Sequence, residues 1–468
     1  MSLLPPNVYP ALDSSFLPAV LWNRAYRKMV ESDPHARPFA LVLGRPDGSR
    51  KVHESRVLSA QHPAALLNVT YAERLLKFLL WQKGGSRVGV YGAPEIAEAL
   101  AKTYSPNGAR AFDHQFMGEK VYGEPFSVRA IDKYEPEFES DGLAIGRNLD
   151  GCRIGFDLGG SDRKAAAVID GEVVFSEEIA WDPYFQSDPA YHIEGVFDSL
   201  KRAAAHLPRV DAIGGSAAGV YVNNEVRVAS LFRGVPPGAF EKQIRPMFAG
   251  LKARFGGVPF EVVNDGEVTA LAGSMSLRDN SVLGISMGTS LAAGYVTSAG
   301  RITTWLNELA FAPIDYRADA PRDEWSGDLG CGVQYLSQQA VGRLAEKAGI
   351  QFPAKMPLPE RLLSVQQAMS EGDTRAAKIY ETIGVYFGYA IAHYAEFFDL
   401  RRLLVLGRVS SGEGGRVILS QAENVLAREF PELAETIHLH TPDEKNKRHG
   451  QAIAAASLPI LKQNPNCS

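Results

Sequence analysis

The spacing of apolar residues becomes regular from Cys152 onward and alternates between the periods of strands and helices. Short apolar runs predict strands over 153–158, 164–169 and 173–179, with a hairpin signal at Asp170-Gly171. The pattern further predicts helices near 191–206 and 237–255, and strands within AIGGSAAGVYV and PFEVV. Strands that alternate with helices indicate an α/β domain.

The first 150 residues follow a different pattern. RPFALVLGRPDGSRKVHESRVL alternates as a hairpin around Pro46-Asp47-Gly48, and YAERLLKFLLWQ carries the apolar stripe of a helix. RVGVYGAPEIAEALAKTY predicts a strand, a turn and a helix. That helix is only faintly similar to the first helix of a DNA-reading helix-turn-helix, because no second helix with basic residues follows it. KYEPEFESDGLAIGRNLDG is dense in charges and turn formers and predicts a boundary near residue 150.

Two segments of the chain repeat one pattern. In GFDLGGSDRKAAAVIDG the residues Gly155, Gly159 and Gly171 are separated by 4 and 12 positions, and GISMGTSLAAGYVTSAG has glycines with the same two separations. Each segment reads as an apolar strand, a turn of glycine and hydroxyl residues, a strand of small residues and a glycine turn. The repeat predicts two lobes built on one plan, each opening with a β-hairpin.

Composition limits the classes of protein to be considered. The 468 residues carry a net charge of −5, which leaves no basic surface for nucleic acid. Three scattered cysteines fit a reducing cytoplasm rather than a disulfide framework. The N-terminal residues show no signal peptide, and no apolar stretch approaches the roughly 20 residues of a membrane span. We expect a soluble, cytoplasmic protein that binds neither nucleic acid nor membrane.

The two hairpin tips are candidate phosphate sites. Tips without bulky side chains let backbone N–H groups and hydroxyls approach phosphate oxygens. An ordinary hairpin turn is the alternative for either tip taken alone. Asp157, at the end of the first strand, is placed to reach a hydrated Mg²⁺, whereas Arg163 and Lys164 are better explained as ends of a solvated strand. The tips comprise Gly159, Gly160 and Ser161 in the first hairpin and Gly288, Thr289 and Ser290 in the second.

A second candidate lies in EVVNDGEVTALAG, where a strand runs into Asn264-Asp265 and a helix. Helix capping explains these residues well, since Asn and Asp are preferred caps and Glu267 suits the helix dipole. An acid at the carboxyl end of a strand could equally accept a proton from an attacking hydroxyl. Near the C-terminus, VLGRVSSGEGG joins a strand to a helix and could place Gly407 and Arg408 against a nucleotide, although a plain connection explains it as well.

Taken together, these segments resemble the ROK family (repressor, open reading frame, kinase) of actin-like sugar kinases, from about Gly151 onward. DLGGS and LGISMGTS are similar to the two phosphate hairpins, VNDGEVTALAG to the stretch that holds the catalytic Asp, and VLGRVS to the adenosine loop. The resemblance implies ATP and Mg²⁺, with Asp265 as general base and Asp157 holding the metal through water. It further implies a sugar site formed by Gly160, Ser216, Gly219, Asn264, Asp265 and Glu308.

The chain departs from the family at its structural zinc. Phe311 stands where the family has a ligating His, and SGDLGCGVQYLSQ retains only Cys331 of the cysteine run. One sulfur without His cannot complete a tetrahedral site, so no structural zinc is expected. Val333 also falls where the family has a second sugar-binding Glu, which leaves room for a non-catalytic descendant.

These observations predict a two-lobed actin-like (ribonuclease H-like) α/β fold with an N-terminal α/β extension. The expected divisions are an extension over 1–150, a first lobe over 151–278 and a second lobe over 279–468 whose last helix can return to the first. The predicted function is ATP-dependent phosphorylation of a hydroxyl on a sugar or sugar-like molecule. A non-catalytic sugar-sensing regulator of the same fold and an actin-like ATPase or structural module are the alternatives. A homodimer is compatible with the sequence.

Overall fold

The structure is a computed structural model that describes residues 6–138, 145–441 and 447–461. Residues 139–144 of the predicted boundary and Cys467 lie outside the described residues. Each of the three segments expected from the sequence contains one main sheet. The domain boundaries themselves stay predictions.

The extension has a four-stranded sheet in the order β2-β1-β3-β4. The hairpin predicted around Asp47 is confirmed, since its two strands pair antiparallel from Gly44–Arg50 outward. The predicted strand, turn and helix after Ser86 are confirmed as well. The elements are α1 (Ala19–Ser32), β1 (Arg37–Gly44), β2 (Arg50–Val57), α2 (Leu67–Lys83), β3 (Arg87–Tyr91), α3 (Pro94–Thr103), α4 (Ala111–Gln115), a π-helical turn (Phe116–Tyr122) and β4 (Ser127–Ile131).

The first lobe has a five-stranded sheet in the order β11-β8-β5-β6-β7, with an antiparallel meander at one side and parallel strands at the other. The helix predicted over 237–255 is interrupted, because Pro246 cannot donate within a helix. The elements are β5 (Cys152–Leu158), β6 (Asp162–Ile169), β7 (Glu172–Ala180), α5 (Pro189–Ala204), β8 (Ala212–Ala217), β9 (Val220–Val222), β10 (Glu225–Val228), α6 (Pro237–Ala239), α7 (Met247–Arg254), β11 (Phe260–Asn264) and α8 (Asp265–Leu277).

The second lobe repeats the plan with a four-stranded sheet in the order β13-β12-β14-β15, again a hairpin beside parallel strands. Its elements are β12 (Val282–Met287), β13 (Leu291–Val296), α9 (Gln338–Lys347), α10 (Leu358–Ser370), α11 (Thr374–Tyr394), β14 (Arg402–Leu406), α12 (Gly412–Glu429), α13 (Pro431–Ala434), β15 (His438–His440) and α14 (Lys447–Ala456). The last helix, α14, packs against β5 and β8 of the first lobe. A Cβ at Gly155 or Gly214 would clash with the carbonyls of Ala452 and Ala455, so small residues permit this packing.

The extension and the second lobe share one hydrophobic core. Phe16 packs edge-on against Tyr386 of α11 at 4.7 Å between ring centroids, and Trp81 of α2 contacts Phe311 at 4.3 Å. The hydroxyl of Tyr386 also donates to Asp13 at 2.6 Å. The first lobe has a separate core. The extension is therefore built into the second lobe rather than tethered to it. No helix in the described ranges is long and apolar enough to span a bilayer.

Candidate active site

Asp157 lies at the carboxyl end of β5, where neighbouring strands supply its partners. The hydroxyl of Ser216 on β8 donates to Asp157 Oδ1 at 2.7 Å, and Lys164 Nζ on β6 lies 3.6 Å from Asp157 Oδ2 and 3.0 Å from Asp162. Burial raises the pKa of Asp157, although the hydrogen bond and the ammonium group oppose this. The Ser216 hydroxyl, predicted to bind substrate, thus supports Asp157 directly.

The prediction that Arg163 and Lys164 are solvated strand ends is wrong. Lys164 pairs with both acids of the first hairpin. Arg163 lies under α5, where its guanidinium donates to the Gly195 carbonyl and, at 2.9 Å, to the hydroxyl of Ser199. The reason is that α5 covers this part of β6, which local alternation cannot reveal.

At the start of α8 the capping and the candidate catalytic roles fall on two different residues. Asn264 is the N-cap, and its side-chain oxygen accepts from the Gly266 N–H at 2.7 Å. Asp265 is the first helical residue and accepts from the same N–H at 3.0 Å. The Asn264 amide also donates to the Gly219 carbonyl at 2.8 Å, so most of its hydrogen-bonding capacity is used within the protein.

The electrostatic environment of Asp265 fits a group that exchanges protons near neutral pH. Burial, followed by the negative charge of Asp157, raises the pKa of Asp265 to about 6 from its ordinary value of 3.8. Burial and the charge of Asp265 raise the pKa of Glu308 to about 7. These three carboxyl groups come from β5, α8 and the loop after β13, and the fold brings them close enough for their charges to interact. Within the described part of the chain, the Glu308 carboxyl has no hydrogen-bond or ion-pair partner, which leaves it free for a ligand.

Glu267 also belongs to the site. The sequence indicated only a favourable interaction between its negative charge and the helix dipole. Its carboxyl is buried and accepts from Asn307 Nδ2 at 2.5 Å and from the Tyr295 N–H at 3.2 Å. Burial raises its pKa to about 8. Asn307, the neighbour of Glu308, has a positive φ of 49°. Glu267 therefore fixes an unusual turn beside Glu308, and no local pattern signals this.

The two glycine tips differ in their surroundings. In the first, Trp181 Nε1 donates to the Gly159 carbonyl at 2.7 Å, and the Tyr184 hydroxyl lies so close to Gly160 that a Cβ there would clash. Ser161 is exposed and donates to Asp162 at 2.8 Å. In the second, the Gly288 N–H donates to the Ser290 carbonyl at 2.9 Å, and Thr289 and Ser290 are exposed.

The loop after β14 packs against the second tip. Gly407 has a φ of 98°, and a Cβ there would clash with the backbone of Met287, the residue before Gly288. The N–H of Val409 donates to the Met287 carbonyl at 3.1 Å, and Arg408 is exposed. The structure therefore brings the predicted adenosine loop beside the second predicted phosphate hairpin. Their ligands stay predictions.

Around Cys331 the described residues contain no group of three or more His, Cys, Asp or Glu side chains that could hold a metal ion. Cys331 is buried, and its pKa is raised to about 12 by burial. Lys77 from α2 reaches this region and pairs with Asp328 and, at 2.8 Å, with Asp113. The absence of zinc stays a prediction.

Comparison with proteins of known structure identifies the fold of the chain. No family model and no curated protein sequence matches the chain. The crystal structure of the ROK hexokinase from Thermus thermophilus matches with a TM-score of 0.52 and 19% identity, over 65% of this chain and 97% of that one. The chain has the ROK fold. The predicted two-lobed actin-like α/β class is thereby confirmed.

The ROK fold alone does not separate catalysis from regulation. A ROK family transcriptional regulator, a homologue of the E. coli MLC protein, matches with a TM-score of 0.50 and 20% identity, over 66% of this chain and 79% of that one. The choice between catalysis and regulation depends on the side chains of the candidate active site.

Proposed function

We propose that the protein transfers a phosphoryl group from ATP to a hydroxyl of a sugar, with Asp265 as general base. The observation that carries this proposal is the Asp265 carboxyl, whose pKa is raised to about 6 by burial and by the charge of Asp157, while Asn264 serves as the N-cap. A base is most effective when its pKa lies near the working pH. An ordinary surface Asp would be a weaker base by about two pKa units.

The remaining residues would bind and orient the substrates. Glu308, whose carboxyl has no hydrogen-bond or ion-pair partner among the described residues, would accept hydrogen bonds from sugar hydroxyls. Asp157 suits a hydrated Mg²⁺ because the ion-pair partner of its Oδ2 among the described residues, Lys164, lies at the long distance of 3.6 Å. ATP would supply the phosphoryl group, and Mg²⁺ would neutralise the charge that develops on it. The tips at Gly159–Ser161 and Gly288–Ser290 would position the phosphates, and Gly407 would face the adenosine.

A sugar-sensing regulator is the second candidate, favoured by the structural match to a ROK regulator. In that case Lys164 would permanently neutralise Asp157, and the same cleft would bind a sugar without phosphorylating it. Binding without turnover is the result that distinguishes this candidate.

The test is phosphorylation of a panel of sugars by wild type and Asp265→Asn in the presence of Mg-ATP. General-base catalysis typically contributes about 10²–10⁴-fold, so the variant should lose at least about 100-fold in kcat. Sugar binding should be retained and the melting temperature should not fall, because Asn264 retains the cap and the substitution removes a carboxyl whose pKa is raised by burial.

Asp198→Asn is the matched control, since that carboxylate lies on the surface of α5 and pairs with Arg202 at 3.0 Å. It should retain full activity. Near-wild-type turnover by Asp265→Asn would exclude the proposed base. A sugar that raises the melting temperature of the wild type but is never phosphorylated would establish the regulator instead.

A further inference from the structure

The C-terminal end of α2 in the extension holds the loop that carries Glu308. The N–H of Asn307 donates to the Gln82 carbonyl and the N–H of Glu308 to the Trp81 carbonyl, each at 2.9 Å. Carbonyls in the last turn of a helix lack a partner within the helix and are available to accept such bonds. A segment outside the two lobes therefore sets the position of a residue in the candidate active site.

The extension also forms one wall of a cavity of about 430 Å³ beside this loop. Pockets that bind small organic molecules enclose roughly 300–1,000 Å³. The cavity begins at Gly219, Asn264 and Glu267, whereas Asp157 and Asp265 lie outside its lining, so it extends away from the candidate base. Its walls come from residues 45–49 and Tyr122 of the extension, 219–227 of the first lobe and 303–306 of the second.

Charges on this lining are nearly balanced. The lining contains Arg45 and Arg227 together with Asp47 and Glu261, while the raised pKa of Glu267, about 8, keeps that group protonated at neutral pH. Arg45 is buried, and its guanidinium donates to neutral oxygens, the Lys83 carbonyl and, at 2.9 Å, the Thr304 hydroxyl. The cavity thus favours a polar ligand without a net charge.

The other lining groups suit a sugar ring. Aromatic rings present flat apolar faces, and amides and hydroxyls can both donate and accept hydrogen bonds. Both kinds of group surround the cavity, namely Tyr122, Tyr221 and Trp305 with Asn223, Asn224, Ser49 and Thr303.

We propose that the extension completes the acceptor site and that the acceptor is a sugar extended by a second, uncharged sugar-like ring, as in a disaccharide or a glycoside. This inference rests on the proposed function, because it places the phosphorylated ring beside Asp265. The second ring occupies the cavity between residues 45–49 and the β9–β10 hairpin. Selectivity for the longer substrate then depends on residues of the extension, which the two lobes alone lack.

The experiment compares glucose, mannose, galactose and N-acetylglucosamine with cellobiose, maltose, lactose and methyl glycosides, and uses glucuronic acid as an anionic probe. Binding is measured by thermal shift, and kcat/KM is measured with Mg-ATP. At least one two-ring compound should exceed its matching monosaccharide and methyl glycoside by about tenfold or more, the range expected for one added group in a pocket.

Val222→Trp, at a half-buried lining position, should fill the cavity and remove this preference while monosaccharide turnover stays unchanged. Val222→Ala is the control and should retain the preference. Thr304→Trp, at an exposed lining position, serves the same purpose if Val222→Trp does not fold.

Each outcome decides a different question. Equal or better use of monosaccharides, a preference that survives the Trp variants, or binding of the acid alone would overturn the inference and leave the proposed function standing. Tighter binding of two-ring compounds without phosphorylation of any would support the extended site and reject the kinase. No sugar bound at all would reject both.

Discussion

At the scale of single residues, the start of α8 shows how one short sequence serves stability and chemistry at once. Asn264 is the N-cap and accepts from the Gly266 N–H, while Asp265 is half-buried near Asp157 and has a raised pKa. Capping and proton transfer appeared as competing explanations in the sequence, yet the N-cap is Asn264 and the proposed base is its neighbour Asp265.

The raised pKa of Asp265 predicts the acid limb of the pH profile. A general base acts only when ionised, so kcat/KM should rise with pH through about 6 and then level off. Because Asp157 is close, the apparent pKa will belong to the coupled pair. Initial rates with the best sugar between about pH 4.5 and 8.5 provide the measurement. An acid limb near the ordinary Asp value of 3.8 would contradict this environment.

Glu267 predicts a pH dependence of stability. Its folded pKa of about 8 exceeds its ordinary value of 4.5, so the folded state binds the extra proton. The stabilisation is complete below about pH 4.5 and is lost as pH rises toward 8. Each unit of pKa difference corresponds to about 1.4 kcal/mol, so the loss should reach several kcal/mol.

Urea unfolding of wild type and Glu267→Gln across this range isolates the effect, because the variant stays neutral and its free energy of unfolding should fall less. Glu360→Gln, an exposed position at the start of α10, is the control and should parallel the wild type. Parallel curves for Glu267→Gln as well would show that Glu267 is ionised in the folded protein.

The candidate site could be predicted in part because Asp157, Asn264 and Asp265 each lie at or next to the end of a strand whose pattern is local. Glu267 and the carbonyls of Trp81 and Gln82 could not. Their contribution depends on contacts between residues far apart in the chain, such as Glu267 with Asn307 and Trp81 with Glu308. Likewise, only the packing of α5 shows that Arg163 is covered.

At the scale of elements, α2 is unusual because it carries charged residues into the core. Lys77 is fully buried and pairs with Asp113 of α4 and Asp328 of the second lobe. Arg110 joins the same network through Glu73, at 2.6 Å, and Asp328. The apolar stripe correctly predicted a helix here, but it gave no indication that this helix would be enclosed on nearly all sides.

Lys77→Met should destabilise the protein by about 3–5 kcal/mol, because it leaves buried carboxylates without their ammonium partner. Denaturant unfolding provides the measurement, and Lys102→Met, at an exposed position on α3, is the control. A loss no larger than that of the control would mean that the acids are protonated or otherwise satisfied.

At the scale of the whole molecule, the extension contacts both lobes. It shares its core with the second lobe, and its π-helical turn Phe116–Tyr122 contacts β9 and β10 of the first. The hairpin at the start of each lobe follows from local patterns and could be predicted. The shared core of the extension and the second lobe could not be predicted, because the apolar residues of one segment do not indicate which distant segment they will contact.

A protein that begins at residue 145 should fail to fold, because the removed segment covers Phe311, Tyr386 and other core residues of the second lobe. Soluble yield, near-ultraviolet circular dichroism and cooperative melting provide the measurement. A truncation that ends at residue 461 is the control. Cooperative melting of the shortened protein would show that the extension is a separate unit.

The shared core also has a consequence for the order of folding during synthesis. The segment 8–126 leaves the ribosome long before 283–437, yet many of its apolar side chains share one core with that later segment. Contacts between such distant segments slow folding, and the exposed apolar surface meanwhile favours aggregation. The first third of this chain to be translated is therefore among the last parts to complete its packing, so its yield in cells should depend on translation speed and chaperones.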